Sequence, residues 1–262
     1  LRHHTIVIGY VGQGTASFPS FHAHPEVYLI VLAAGAGYWW VTSRKVEATR
    51  RQRSFFYAGL AFLCVFAAWP IHDVAEDFMY SVHMAQHTVF AYVVPVLLLL
   101  GCPPDLIRWL VRNPVLSACC RACARPLVAI VLFNVEGIVL HLPAVVNRAT
   151  TNEGLHFLVH LALFLVALCL WFPVLNTVDG LPRLKHGAKL LYLMAASFLP
   201  VVPVAFLALA QGPIYEHYAA APRLTSLDAV GDQQLAAGVM WVVSSFWMTG
   251  TIVVVFFDWW RT

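Results

Sequence analysis

Several runs of about 20 apolar residues decide the fold class of this chain before anything else does. The clearest is Met79–Gly101, MYSVHMAQHTVFAYVVPVLLLLG. A helix of that length crosses the hydrocarbon core of a bilayer while satisfying its own backbone hydrogen bonds. Charged residues make up only 11% of the chain, against about 25% in soluble domains, and the mean hydropathy is +0.74. A transmembrane barrel would instead show ten-residue segments of alternating hydropathy. The sequence therefore predicts an all-α, polytopic membrane bundle in which the lipid bilayer is the first partner. Seven spans are expected, at 26–42, 54–70, 78–100, 127–142, 156–175, 188–210 and 233–257. Residues 1–25 read as an N-terminal segment outside the membrane, 26–258 as one membrane domain and 259–262 as a cytoplasmic tail. Leu1 in place of Met is consistent with a leader either missing or removed.

The loops set the orientation. Arg44, Lys45, Arg50, Arg51 and Arg53 follow the first span, and Arg108, Arg112, Arg121 and Arg125 follow the third. Arg183, Lys185 and Lys189 follow the fifth, and Arg261 follows the last. Of the 16 Lys and Arg, only Arg2, Arg148 and Arg223 fall on the other side. The positive-inside rule then places the N-terminus outside and the C-terminus in the cytoplasm, which an odd span number requires. Tyr38, Trp39, Trp40, Trp259 and Trp260 sit where inner-interface anchors belong. Within the third loop, Pro104–Leu116 reads as a surface helix with Leu106, Ile107, Trp109 and Leu110 beside Arg108 and Arg112. Pro95, Pro200 and Pro203 are expected to kink the third and sixth spans.

This orientation sorts the histidines. Of 12, only His186 falls on the cytoplasmic side; the others lie outside or in the outer half of a span. His83 and His87 stand four residues apart, and His156 and His160 repeat the spacing, so each pair shares a helix face. Both pairs begin spans that run inward, which puts them at matched depth. His72 with Asp73, and His141 with Glu136 below it, belong to the same outer layer. Asp77, Glu153, Glu216, Asp228 and Asp232 add carboxylates there, as does Glu76.

Ionisable side chains in a membrane segment are costly and mark functional sites. A single membrane histidine is most simply a hydrogen bonder between helices. Two i, i+4 pairs at one depth instead favour a metal, because imidazole suits copper and zinc and two such nitrogens on one face hold one ion. The candidate metal ligands are His83, His87, His156 and His160, with His72 and His141 beside them and Asp73 and Glu136 as carboxylates that orient an imidazole. Glu136 with Asn134 reads equally as a packing hydrogen bond. Met79, Met84 and Met240 read as packing before ligation, and His22, His24 and His217 as solvated loop residues. His3 and His4 read as a solvated end. The cysteines point elsewhere. Cys119, Cys120 and Cys123 form a CCRAC run in a cytoplasmic loop, with no second ligand cluster near them, so reduced thiols are expected.

The motif SVHMAQHTVFAYVVPVLLLLGCP resembles the signature span of the CtaG-like cytochrome c oxidase assembly factors, seven-span bacterial membrane proteins. Further elements follow in order: LHLP at Leu140–Pro143, LHFLVH at Leu155–His160 leading into LWFPVL, then GPIYEHY and DQQLAAGVMW at Asp232–Trp241. The resemblance covers roughly residues 21–258. Leu140 stands where the family usually has Trp, and the CCRAC run is not a family feature. The resemblance implies a non-enzymatic assembly factor of the bacterial plasma membrane. Such a factor would supply copper from outside to the CuB centre in subunit I of a haem–copper oxidase. His83, His87, His156 and His160, with His72 and His141, are the ligands so implied. The alternative is a resident structural or haem- or metal-binding subunit of a larger respiratory or photosynthetic complex. Bis-His haem would need imidazoles on both ring faces. A retinal protein is excluded, since 233–257 carries no Lys, and no hydrolase nucleophile motif or nucleic-acid-binding signature is present.

Overall fold

The structure, a computed structural model, describes residues 16–181, 183–198 and 200–262, apart from the side chain of Cys123. His3 and His4 lie outside the described residues. The described residues form helices and connecting turns, with no strand among them. In chain order the helices are α1 Pro25–Arg44, α2 Arg50–Ala67, α3 Ile71–Asp77, α4 Tyr80–Thr88, a π turn Val89–Val93, α5 Val94–Gly101, α6 Pro104–Leu110 and α7 Pro114–Cys123. They continue with α8 Pro126–Leu140, α9 Pro143–Ala149, α10 Glu153–Leu175, α11 His186–Phe198, α12 Val201–Leu209, α13 Glu216–Ala220 and α14 Ala229–Trp260. Local chemistry sets many of the starts. Proline opens α1, α6, α7, α8 and α9, where its missing N–H is not needed. Thr49 and Gln52 form a capping box on α2, and Asn152 caps α10 by accepting from the Leu155 N–H at 2.8 Å.

Four helical stretches are long and apolar enough to cross a bilayer: Tyr80–Gly101, Glu153–Leu175, His186–Leu209 and Ala229–Trp260. Two bent pairs raise the number to six if each is one span: α2 with α3, bent by 43°, and Pro114–Ala122 with Pro126–Leu140, bent by 76°. Seven were expected. The one not among them is α1, whose 20 residues include Gly35, Gly37, Trp39 and Trp40, which dilute its apolar content.

Tyr80–Gly101 is the centre of the bundle. Its most apolar stretch is 72% buried within the protein, against 11% for that of Ala229–Trp260. α5 packs on α2, α4 packs on α14 and α3, and α10 lies against both α5 and the π turn. The contact with α2 is close enough to demand glycine. A Cβ on Gly101 would stand 2.5 Å from the Phe56 backbone nitrogen, and the Gly101 carbonyl accepts from the Tyr38 hydroxyl at 2.8 Å.

The expected distortion at Pro95 takes the form of the π turn. Pro95 cannot donate to Ala91 four residues earlier, and the freed Ala91 carbonyl instead accepts from the indole N–H of Trp171 at 2.9 Å. Trp171 is fully buried on α10, so this bond ties α10 to the central span one turn after His87. The sixth span breaks at Pro200, which precedes α12, whereas Pro203 lies in the first turn of α12.

The third loop differs from expectation. It holds two helices, α6 and α7, separated before Pro114, rather than one. Leu106 and Ile107 do not face a membrane surface. Leu106 packs with Tyr38 and Val41, and Ile107 with Phe172 and Val178, closing the end of the bundle away from the histidines. The apolar face of α6 had a protein neighbour, which a single helical pattern does not reveal.

Candidate metal centre

α4 begins where α14 tells it to. The buried carboxylate of Asp232 on α14 accepts from the Tyr80 N–H at 2.7 Å, the Ser81 N–H at 3.3 Å and the Ser81 hydroxyl at 2.5 Å. This caps the first turn across 150 residues of sequence and fixes the rotation of α4 about its axis. His83 and His87 then project from one face with ring centroids 4.2 Å apart. Asn152 does the same for α10, where His156 and His160 stand 4.4 Å apart.

The two pairs meet. His87 Nε2 and His160 Nε2 are 2.9 Å apart, and the rings of His83 and His156 are 5.6 Å apart. His72 joins from α3, just past the bend that contains the cis Trp69–Pro70 peptide. Its ring lies 5.6 Å from that of His156 and 6.1 Å from that of His160. Two groups thus present three nitrogens each within 4.8 Å of one another: His83, His87 and His160, and His72, His156 and His160. His160 is common to both. None of the described cysteines belongs to such a group.

Gln86 holds this arrangement and was not singled out from the sequence. It is fully buried between the α4 histidines, its amide donating to the Phe66 carbonyl at 2.7 Å and meeting His72 Nδ1 at 3.0 Å. The signal available was its place inside HMAQH, on the flank of the helix that α3 covers. Glu76 comes closer than expected too, with His72 Nε2 at 3.5 Å and His156 Nδ1 at 4.0 Å from its carboxylate.

His24 is a correction. It is not a solvated loop residue but is 6% exposed, with Nε2 2.9 Å from the Asp73 carboxylate and its ring 4.8 Å from that of His72. With His22 it completes a third group, His22, His24 and Asp73. Asp73 therefore meets the two histidines ahead of α1. His217 also has a specific contact, donating from Nε2 to the Glu76 carbonyl at 2.7 Å.

His141 and Glu136 stand apart from these groups. They line a cavity of about 80 Å³, together with His87, Met84 and Met240, on the side of α4 that faces α8 and α14. His141 Nδ1 bonds the Gly137 carbonyl at 2.5 Å, and Tyr215 donates to the His141 carbonyl at 2.9 Å. Burial pushes the Tyr215 phenol up to about 12, so it remains a donor at neutral pH. Neither carboxylate oxygen of Glu136 has a hydrogen-bond partner, so Glu136 does not orient an imidazole here.

The donor set suits a metal ion. His83 Nδ1 and both ring nitrogens of His156 are buried with no hydrogen-bond partner, although unpaired buried polar atoms are costly. An ion held between imidazoles would satisfy such atoms. Three imidazole nitrogens form a donor set that ions such as copper and zinc accept.

The model of the cytochrome c oxidase caa3 assembly factor (Caa3_CtaG) matches residues 36–262. The chain belongs to that family. No curated protein and no solved structure gives a match. The caa3 assembly factor match spans α2 to α14 and covers His72, His83, His87, His141, His156 and His160; His22 and His24 precede it.

Proposed function

We propose that this chain is a non-catalytic, seven-span assembly factor of the bacterial plasma membrane that carries copper as cargo for subunit I of a haem–copper oxidase. The observation that carries the reading is the sharing of His160 between two three-histidine groups. An ion at one group reaches the other by exchanging two ligands while keeping the third, so it is never released as a bare cation in a low-dielectric interior. Such a pair of overlapping sites favours transfer over permanent retention. Copper is a cargo this donor set accepts, and family membership supplies the oxidase as the destination.

Seven spans follow if α1 crosses with the six candidates. Its 20 residues reach about 30 Å, the thickness of the hydrocarbon core. Lys45, Arg108 and Arg112, with Glu47 and Asp105 among them, line one cleft beyond the far end of the central span. That supports a cytoplasmic face there and an outer location for the histidines. The direct contact of His87 with His160 favours an ion over haem, since a porphyrin must stand between its two axial imidazoles. The test is copper stoichiometry in purified protein. His156→Ala with His160→Ala, which leaves neither inner group with three ligands, should abolish binding at the inner groups, and full retention there would overturn the proposal.

A further inference from the structure

The histidines do not end at the two inner groups. They continue as a line of neighbouring rings to the protein surface. From the inside, His160 contacts His156, His156 contacts His72, His72 contacts His24, and His24 contacts His22, with ring centroids 4.4, 5.6, 4.8 and 4.8 Å apart. Its outer end is open to solvent: the side chain of His22 is 48% exposed, whereas those of His156, His72 and His24 are 6%, 16% and 7% exposed. We propose that His22, His24 and Asp73 form a separate loading station that takes hydrated Cu(II) from solvent and passes it to His72, His156 and His160. This rests on the reading of the inner groups as copper sites.

The chemistry of the station differs from that of the inner groups. Asp73 presents Oδ2 2.9 Å from His24 Nε2 and Oδ1 3.6 Å from His22 Nδ1, and the exposed Glu26 carboxylate lies 3.4 Å from His24 Nδ1. A mixed nitrogen and carboxylate set suits a divalent, partly hydrated ion, and its negative charge draws cations to the opening. The inner groups are sets of imidazoles, with the Glu76 carboxylate beside His72 and His156 but outside the groups. Nitrogen ligands about 2.0–2.1 Å from one ion stand at most about 4.2 Å apart. Three of them in a trigonal set stand about 3.6 Å apart, so nitrogens within 4.8 Å of one another close on an ion by shifts of about an ångström. Because His72 directly follows Ile71 and precedes Asp73 on α3, one short helix carries a ligand for the outer station and one for the inner group. The family match begins at residue 36, so His22 and His24 belong to a segment that it does not cover.

The experiment is Cu(II) titration into the purified full-length chain, followed by electron paramagnetic resonance and stopped-flow filling kinetics. The wild type should give two Cu(II) environments, one with mixed nitrogen and oxygen coupling and one with nitrogen alone. His24→Ala with Asp73→Asn should remove the mixed signal and slow filling of the inner groups about tenfold, while their final occupancy stays unchanged. His22→Ala, which alters a half-exposed ring and leaves the fold alone, should weaken the mixed site without affecting the other. An unchanged mixed signal and filling rate in these variants would overturn the loading station. His156→Ala with His160→Ala, which takes ligands from both inner groups, separates the two proposals. If inner binding survives those substitutions, the inner assignment is wrong; if the mixed signal survives while inner binding is lost, both stand.

Discussion

Asp232→Ala should destabilise this protein more than any single histidine substitution, although Asp232 touches no candidate ligand. Its carboxylate takes three hydrogen bonds from the first turn of α4, and the residue is only 2% exposed. Loss of an ordinary N-cap costs about 1 kcal/mol, up to about 2. Bonds to a charged acceptor contribute about 1.5–3 kcal/mol each, and the stranded donors here are buried. Because the three share one acceptor their effects do not add, which brings the expected cost to about 3–5 kcal/mol for Asp232→Ala. Asp232→Asn keeps the shape and one acceptor oxygen, so about 1–2 kcal/mol is expected. Unfolding free energy in detergent, followed by far-ultraviolet circular dichroism under denaturant, measures both. Copper affinity should fall about tenfold in Asp232→Ala, since the freed turn no longer fixes the angle at which His83 and His87 project. A loss of stability below about 0.5 kcal/mol would refute the claim that α14 sets the start and rotation of α4.

Other substitutions probe the central span. Trp171→Phe removes the donor to the Ala91 carbonyl beside Pro95 and should cost about 1–3 kcal/mol in the same unfolding assay. Gly101→Ala should cost about 1–3 kcal/mol or more, because the new methyl collides with the Phe56 backbone. Copper at a hundred times its dissociation constant should raise the stability of the wild type by about 2.7 kcal/mol, an effect that a chelator reverses and that His156→Ala with His160→Ala diminishes. Gln86→Leu removes the amide that meets His72 Nδ1 and should lower copper affinity about tenfold or more with all histidines in place, as read by competition with a chromophoric chelator.

The parts of this architecture with a period were legible in the chain. Spans came from apolar runs, and the histidine pairs from i, i+4 spacing at the start of two spans that run the same way. Their convergence followed once α4 and α10 packed side by side. What was not legible depends on partners distant in sequence. His24 lies in a short segment rich in Gly and Pro, and it is buried against Asp73 and the His72 ring, both distant in sequence. Asp232 looked like one outer carboxylate among several, yet it caps a helix that begins about 150 residues earlier. Glu136 has the opposite history. Its depth suggested a partner for an imidazole, but the rotation of α8 turns it into the cavity beside His141. α6 presented an amphipathic pattern suited equally to lipid and to protein, and Leu106 and Ile107 found protein.

The central claim is that copper occupies the histidine groups joined by His160. Anomalous diffraction at the copper edge from crystals of the copper-loaded chain tests it most directly. The account predicts a peak coordinated by His160 together with His83 and His87, or with His72 and His156. A copper peak at the cysteines of α7, or loading with no anomalous signal beside His160, would contradict it.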